Sequence, residues 1–535
     1  MKSGLKHIEF LDHLRGVAIL AVLVFHTLGM AFGYDSLPWK GWFRDFSGHG
    51  SFLCFLPIGM MAQAGVAIFF VVSGFCIHLS FQTQGKKWGG FFVRRFFRIY
   101  PAYFLALLLS VLLLALNPGL DFFGRDFWWQ LPSHVFLVHN FSPATISGFN
   151  AALWSLAIEA QLYLLYPLLL ALAGRMGWGR AMGLLAACEL FIRGLDGAVQ
   201  TMGAADTFAG QISRLLADSP FGYWFSWALG ALIADAWLKG KPLPFAKASP
   251  LLWLGLALGC HFAKPLCVFQ FLLFAVATAA VTGRCLGGRG PGFKWPAVLL
   301  AALRKIGLWS YSIYLLHQPL LHVYSHLIVW SVPAQYRPAP VGFLLETVTW
   351  LAIIPLSALW FELIEIPGIA LGKRISASPA VPANEEAKIL AAIPVAARLQ
   401  PRLLSKAARG LRVAVLVTGL AASCFVSYEF SLRAAVQRGH RAWVLATSPD
   451  AARRNGALAV QLAEAACLQT QYRQPALIAT LAAAYAEADR FDEAIGAAQM
   501  AGKMASEAGD EPLLEQCRET LKSYLRHEPY RDPAP

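Results

Sequence analysis

The stretch Leu14-Arg15-Gly16-Val17-Ala18-Ile19-Leu20-Ala21-Val22-Leu23-Val24-Phe25-His26 decides the fold. Its apolar run reads as part of a membrane-spanning helix, yet it opens on an arginine and closes on a histidine. A second long run, Tyr103–Leu116, shows that the pattern is not confined to the amino terminus. Across all 535 residues, 57% are hydrophobic and 14% charged, with a mean hydropathy of +0.52. Soluble globular proteins are nearer half apolar and a quarter charged. A cytosolic enzyme, a disordered scaffold and a nucleic-acid-binding domain are therefore poor descriptions of most of the chain. The fold class expected is an all-α polytopic membrane helix bundle with a small helical domain outside the membrane.

Lys2 and Lys6 ahead of an apolar run resemble the start of a signal peptide. The run holds His26, continues to about Phe32 and shows no small-x-small cleavage site, so it reads as an uncleaved first span. At about 20 residues per crossing, the candidate core spans are 14–32, 58–80, 101–117, 152–172, 181–195, 220–238, 250–264, 266–282, 306–330 and 342–363. Lys86, Lys87, Arg94, Arg95, Arg98, Lys239, Lys241, Lys247, Arg284, Arg289, Arg304 and Lys305 all fall on one side of this arrangement. The positive-inside rule then places the amino terminus in the cytoplasm.

Residues 1–374 form the expected membrane domain. Pro379, Pro382, Pro394 and Pro401 mark 375–410 as a cytoplasmic linker. Lys406, Arg409 and Arg412 precede an extra span at 411–428, oriented from inside to outside. Residues 440–535 are then extracytoplasmic. There, Leu481-Ala-Ala-Ala-Tyr485, Phe491-Asp-Glu-Ala494-Ile495 and Ala501 have tetratricopeptide spacing, with flanking helices at about 452–469 and 511–526. Such a unit binds a protein partner, but a plain helical bundle with no partner fits the same residues.

The net charge of +14 reads as loop topology and contact with anionic membrane lipids. No basic run interleaves with stacking aromatics, so no nucleic-acid partner is expected. The nine cysteines are scattered without a CxxC pair or a His/Cys cluster. Neither a disulfide framework nor a bound metal is expected.

Four groups carry candidate chemistry. Arg15 and His26 are eleven residues apart, about three turns, and share one helical stripe with Asp12, Ile19 and Val22. A neutral imidazole inside the bundle can take a proton from a hydroxyl; a structural histidine is the bland alternative. Glu159, within Trp154-Ser155-Leu156-Ala157-Ile158-Glu159, is estimated at ~10 Å below the outer surface and His26 at ~12 Å, so the two are expected to meet. A packing ion pair for Glu159 remains open. Arg94-Arg95-Phe96-Phe97-Arg98 and Tyr100 gather at the inner face, where guanidinium groups suit phosphates or simply anchor the span. In Ser310-Tyr311-Ser312-Ile313-Tyr314-Leu315-Leu316-His317-Gln318-Pro319, Tyr314 and His317 are candidate substrate contacts, with a satisfied core histidine as the alternative for His317. His139, Asn140 and Trp154 are candidates for lining the outer mouth.

Taken together these residues resemble the acyltransferase 3 family of integral membrane proteins. The resemblance rests on Arg15 with His26, Phe69-Phe70-Val71-Val72-Ser73-Gly74-Phe75, Arg95-x-x-Arg98 with Tyr100-Pro101, Trp154-Ser155-Leu156 with Glu159, the Ser310 to Pro319 run and Glu365-Ile366-Pro367. These stand in order over about residues 7–374. The resemblance implies a ten-helix enzyme of a bacterial inner or cell membrane. It implies transfer of an acyl group, most often acetyl, from cytoplasmic acyl-CoA to a hydroxyl of an extracytoplasmic or lipid-linked glycan. It also implies essential roles for Arg15 and His26, with Arg95 and Arg98 near the donor. The helical tail departs from the hydrolase-like appendage better known in the family. The rivals are a proton-coupled transporter or flippase using the same buried residues, and a membrane scaffold acting through the tail.

Overall fold

The computed structural model describes residues 2–32, 39–45, 58–84, 86–116, 127–204, 207–290, 296–331, 339–376, 406–470 and 472–532. The chain divides into two compact units, residues 1–108 with 129–419, and residues 109–128 with 420–535.

Helices dominate the first unit. In order they are α1 (Lys2–Phe32), α2 (Ile58–Thr83), α3 (Trp88–Ala115, continuing into the second unit), α4 (Phe127–Val135), α5 (Trp154–Thr201), α6 (Phe208–Ala217), α7 (Trp224–Leu238), α8 (Pro250–Cys260), the single turn α9 (Lys264–Cys267), α10 (Gln270–Leu286), α11 (Ala297–Ser331), α12 (Ala339–Val348), α13 (Trp350–Trp360) and α14 (Ile366–Ile375). One π-helical turn, Phe361–Glu365, joins the last two. A short hairpin, β1 (Trp39–Lys40) with β2 (Phe43–Arg44), follows α1.

Lipid offers helices no hydrophobic reason to associate, so close packing has to come from small residues that let backbones touch. Helices α1 and α11 meet in this way. A methyl group added at Gly16 would overlap the Leu303 carbonyl, and one at Gly307 would overlap the Asp12 carbonyl. Glu9 pairs with Arg304 at 3.3 Å near one end, and His26 faces His317 further along, so the two helices run parallel. Helices α2 and α7 repeat the device through Gly74 and Gly230. Ile19, Val22 and Leu23 of α1 fill the space between with Ile313 and Tyr314 of α11.

Among the described residues, seven helices are long and apolar enough to cross a membrane. They correspond to the expected spans 14–32, 58–80, 101–117, 152–172, 306–330, 342–363 and 411–428. The other four expectations are not separate long helices. Span 181–195 is the second half of α5, which breaks at Gly177 (φ +79°, ψ 155°) rather than at a loop. Spans 220–238, 250–264 and 266–282 are represented by α7, α8 and α10, which have 15, 11 and 17 residues.

The second unit contains the later part of α15 (Lys406–Thr447), then α16 (Gly456–Gln469), α17 (Pro475–Glu487), α18 (Phe491–Ala508) and α19 (Glu511–Tyr524). The extra span does not stop at 428: its helix runs unbroken to Thr447. Alanines 435, 442, 459, 463, 466, 483, 484, 501 and 505 form its buried core, so these helices also pack closely. Asn455 caps α16 through the Leu458 N–H, and Asp532 accepts from Trp443 and Thr447 at 2.7 Å, tying the chain end to α15. Most of the expected linker, 377–405, lies outside the described residues.

A methyl group at Gly307 should push α1 from α11, and overpacking of this kind costs about 1–3 kcal/mol. Gly307→Ala is expected to lower the thermal unfolding midpoint in detergent, whereas Gly174→Ala, at a position with open space around it, leaves it unchanged.

Candidate active site

Three polar layers pack in the bundle, the first and third on α1 and α11 and the second beside the first on α2, α5 and α7. In the first, Arg15 donates to Asp12 Oδ1 at 3.2 Å and to Cys76 Sγ at 3.3 Å. Arg15, Arg98, Ser310, Tyr311, Phe361 and Glu365 line one small cavity there. Tyr311 shapes it by donating to the Ile99 carbonyl at 2.9 Å, which holds α11 against α3. Glu365 is buried and accepts from Ser312 at 2.9 Å. Arg98 forms no hydrogen bond or ion pair among the described residues, so its guanidinium is the cavity's uncommitted cation.

The neighbouring arginines are placed differently. Arg95 donates to Ser80 Oγ at 2.7 Å and lies over the Phe91 ring at 5.7 Å. Arg94 packs its backbone near Gly372. The Tyr100 hydroxyl donates to the Val135 carbonyl at 3.0 Å and so anchors the end of α4. Of the basic cluster, it is Arg98 that faces the cavity with Arg15.

In the second layer Glu159 accepts from Ser73 Oγ at 2.5 Å and from the Tyr163 hydroxyl at 2.6 Å. Trp227 Nε1 in turn donates to Ser73 at 3.4 Å. His26 is not among the partners of Glu159, which corrects the expected pairing. The reason lies in the segment before α5. Asn150 Nδ2 donates to the Leu315 carbonyl at 3.2 Å, and the Ala152 N–H donates to Gln318 Oε1 at 2.7 Å. These bonds carry the start of α5 down among the helices, so residue 152, the expected outer end of the span, does not mark the outer surface. Ser155 then meets Tyr314, one turn below His317, and Glu159 lies a further turn inward. At 1.5 Å per residue, Glu159 is about 10 Å deeper than the histidine level.

The third layer holds His26 and His317, whose ring centroids are 4.9 Å apart at 52°. Both are buried. The Tyr314 hydroxyl is shared with Ser155 Oγ at 2.6 Å and donates to the Ala152 carbonyl. Trp350 Nε1 donates to Thr27 Oγ1 at 3.0 Å, closing the wall next to His26. Trp154 is half-buried against Tyr223, with centroids 5.7 Å apart.

His139 and Asn140 do not line an opening. His139 is buried and stacks on His134 with centroids 4.0 Å apart. Asn140 exchanges amide hydrogen bonds with Gln161 and donates to the Asp218 carbonyl at 2.8 Å. Their burial and bonding make them supports of the irregular segment before α5.

Sequence reasoning passed over Ser73, Tyr163, Asn150, Gln318 and Glu365 as site residues. Tyr163 is readable from its i+4 spacing to Glu159, and Glu365 stands in a quoted motif. Asn150 gives no local signal, because its partner is 165 residues away. A further buried cluster joins His78 to Tyr166 at 3.1 Å and to Asp235 at 3.4 Å. No group of three or more His, Cys, Asp or Glu residues that could hold a metal occurs among the described residues.

Residues 8–361 match the family described as an acyltransferase domain. The chain is 27% identical over 353 residues to acyltransferase MdmB of Streptomyces mycarofaciens, covering 62% of this chain and 88% of that protein. It is 25% identical over 384 residues to peptidoglycan O-acetyltransferase OatA of Listeria monocytogenes, covering 62% of this chain and 52% of the relative. Nodulation protein 10 of Rhizobium leguminosarum bv. viciae is 33% identical over 142 residues, covering 24% of this chain and 38% of that one. The chain thus spans about half or less of two of these three relatives. No solved structure gives a significant match.

Removing the Glu159 acceptor would strand Ser73 and Tyr163, at about 1–3 kcal/mol for a buried unsatisfied group. Glu159→Leu is expected to lower the thermal midpoint clearly, while Glu159→Gln, which keeps an acceptor oxygen, stays close to the parent.

Proposed function

This chain belongs to the acyltransferase domain family, and on that premise we propose how an integral membrane acyltransferase of this sequence works. The acyl group, most often acetyl in this reading, comes from acyl-CoA on the cytoplasmic side. It passes to a hydroxyl of an extracytoplasmic or lipid-linked glycan. The observation that carries the reading is the order of layers along α1 and α11: a cavity with Arg15 and the uncommitted Arg98 below, a buried imidazole pair above.

Arg98 suits the phosphates of the donor because a guanidinium presents paired donors and a fixed charge. Arg15 adds a second positive charge, and its bond to Asp12 keeps it aimed. Glu365 lines the same small cavity as both arginines, so a phosphate there has to be held by the two guanidinium groups against one carboxyl. Arg94, Arg95 and Tyr100 support this entrance by holding α3. The thioester reaches inward past Tyr311. The acceptor hydroxyl attacks its carbonyl carbon and gives its proton to His26; the carbon–sulfur bond breaks, and the thiolate leaves with that proton. Glu159, bound to Ser73 and Tyr163, ties α5 to α2 at about the level of Tyr311 rather than contacting the imidazole. His317, Tyr314 and Trp154 shape the acceptor side.

The name of OatA, a peptidoglycan O-acetyltransferase, supports a glycan hydroxyl as acceptor, and that of MdmB, an acyltransferase, supports acyl transfer in general. The amino terminus is cytoplasmic and the tail extracytoplasmic in this reading, as the lysine and arginine placement favours. The tail acts as a tetratricopeptide-like unit for a protein partner, a role supported by the close alanine packing of α17 against α18.

His26→Ala is expected to lower acyl transfer by about 10²–10⁴-fold with insertion unchanged. Mass spectrometry of surface glycans and lipids from cells with and without the protein reads this directly. An acyl mass that appears with the protein and vanishes in His26→Ala supports the proposal. Retained acylation in that variant, or solute-driven proton flux with no use of acyl-CoA, contradicts it.

A further inference from the structure

His317 presents a bare ring nitrogen inside the bundle. Its Nδ1 lies 2.8 Å from the Tyr314 carbonyl oxygen and 3.2 Å from that of Ile313. A carbonyl only accepts, so Nδ1 carries the hydrogen and donates it. That fixes the neutral tautomer and leaves the lone pair on Nε2. Nε2 is buried and has no hydrogen-bond partner among the described residues. A buried acceptor left unpaired in this way calls for a reason.

The ring next to it is His26, from the neighbouring helix, at 4.9 Å between centroids. On its own helix the nearby titratable groups are Tyr314, committed to Ser155 and Ala152, and His322. The segment before α5 contributes the neutral Asn150, and the first turn of α5 the neutral Ser155. The carboxylates of the packed elements have their own partners: Asp12 has Arg15, Glu159 has Ser73 and Tyr163, Glu346 has Ser325, and Glu365 has Ser312.

We propose that His317 acts through His26 as a proton-relay and positioning residue, its Nε2 taking over the proton that His26 removes from the acceptor hydroxyl. The proposal rests on the acyl-transfer reading above. The acceptor O–H bond breaks as its oxygen bonds to the thioester carbon. The proton passes to His26 and then to His317 Nε2, which returns His26 to its neutral form. The carbon–sulfur bond breaks next. The proton returns through His26 to the departing thiolate. No oxidant, reductant or further reactant is needed.

The test uses the full chain in inverted membrane vesicles, with acetyl-CoA as the donor probe. Thiol release and ester-bound acetate on vesicle glycans are both measured. Glutamine can fill the place of His317 but cannot accept a proton. For His317→Gln, kcat is expected to fall about 10²-fold, with the KM for acetyl-CoA within about twofold of the parent. A kcat within about threefold of the parent overturns the proposal. So does a joint change in kcat and KM, which marks a packing role. No thiol release from the parent contradicts the acyl-transfer reading itself. Nitrogen-15 NMR of the histidine-labelled full chain supplies a readout independent of turnover. The signal lost in His317→Gln, or in His317→Asn where the first variant does not fold, is expected to show a protonated Nδ1 and a bare Nε2. A proton on Nε2 in the resting protein overturns the relay.

Discussion

The contact on which the rest depends is the crossing of α1 and α11 through Gly16 and Gly307. With no side chain at either position, the backbones touch, and a parallel pair held this closely cannot slide. Arg15 and His26 on one helix therefore keep fixed depths against Tyr311 and His317 on the other. The α2 and α7 crossing through Gly74 and Gly230 does the same for Ser73 and Trp227, which support Glu159. Hydrophobic burial cannot supply this order inside lipid, where the tails are as apolar as the side chains.

Each ionisable group held by that frame is costly to bury unless it is bonded. Arg15 is bonded to Asp12 and Cys76, Glu159 to Ser73 and Tyr163, and Glu365 to Ser312. Against this background the incomplete groups stand out. Among several such groups, the Arg98 guanidinium and His317 Nε2 are the two that lie in the proposed site, where substrate chemistry would complete one with an anion and the other with a proton. Those two sites lie at opposite ends of the same stretch of α11, which is the length a thioester donor would have to reach.

Much of this was legible in the residues. The helix class followed from apolar run length, and the Arg15–His26 stripe from helical spacing. The small residues 482, 494 and 501 of the tail did prove buried. What failed was depth. The apolar run places the outer end of the span at residue 152, whereas Asn150 and Ala152 fasten that segment inside the bundle through Leu315 and Gln318. Those bonds join residues more than 160 positions apart, and no local pattern announces them. Four of the expected spans also differ in form. Helices α7, α8 and α10 have 15, 11 and 17 residues, and a single glycine turn at Gly177 replaces an expected loop. His139 and Asn140 look like free polar groups in the sequence only because their partners, His134, Gln161 and Asp218, come from separate elements.

The central claim is that the donor enters beside Arg98 and points its thioester along α11 toward the histidines. Photo-crosslinking with an acyl-CoA analogue that carries a diazirine in its acyl chain tests it most directly. The account predicts label on α3 and α11 peptides around Arg98 and Tyr311 to His317, lost on competition with acetyl-CoA. Competable label confined to the tail, or to helix faces turned toward lipid, would contradict it.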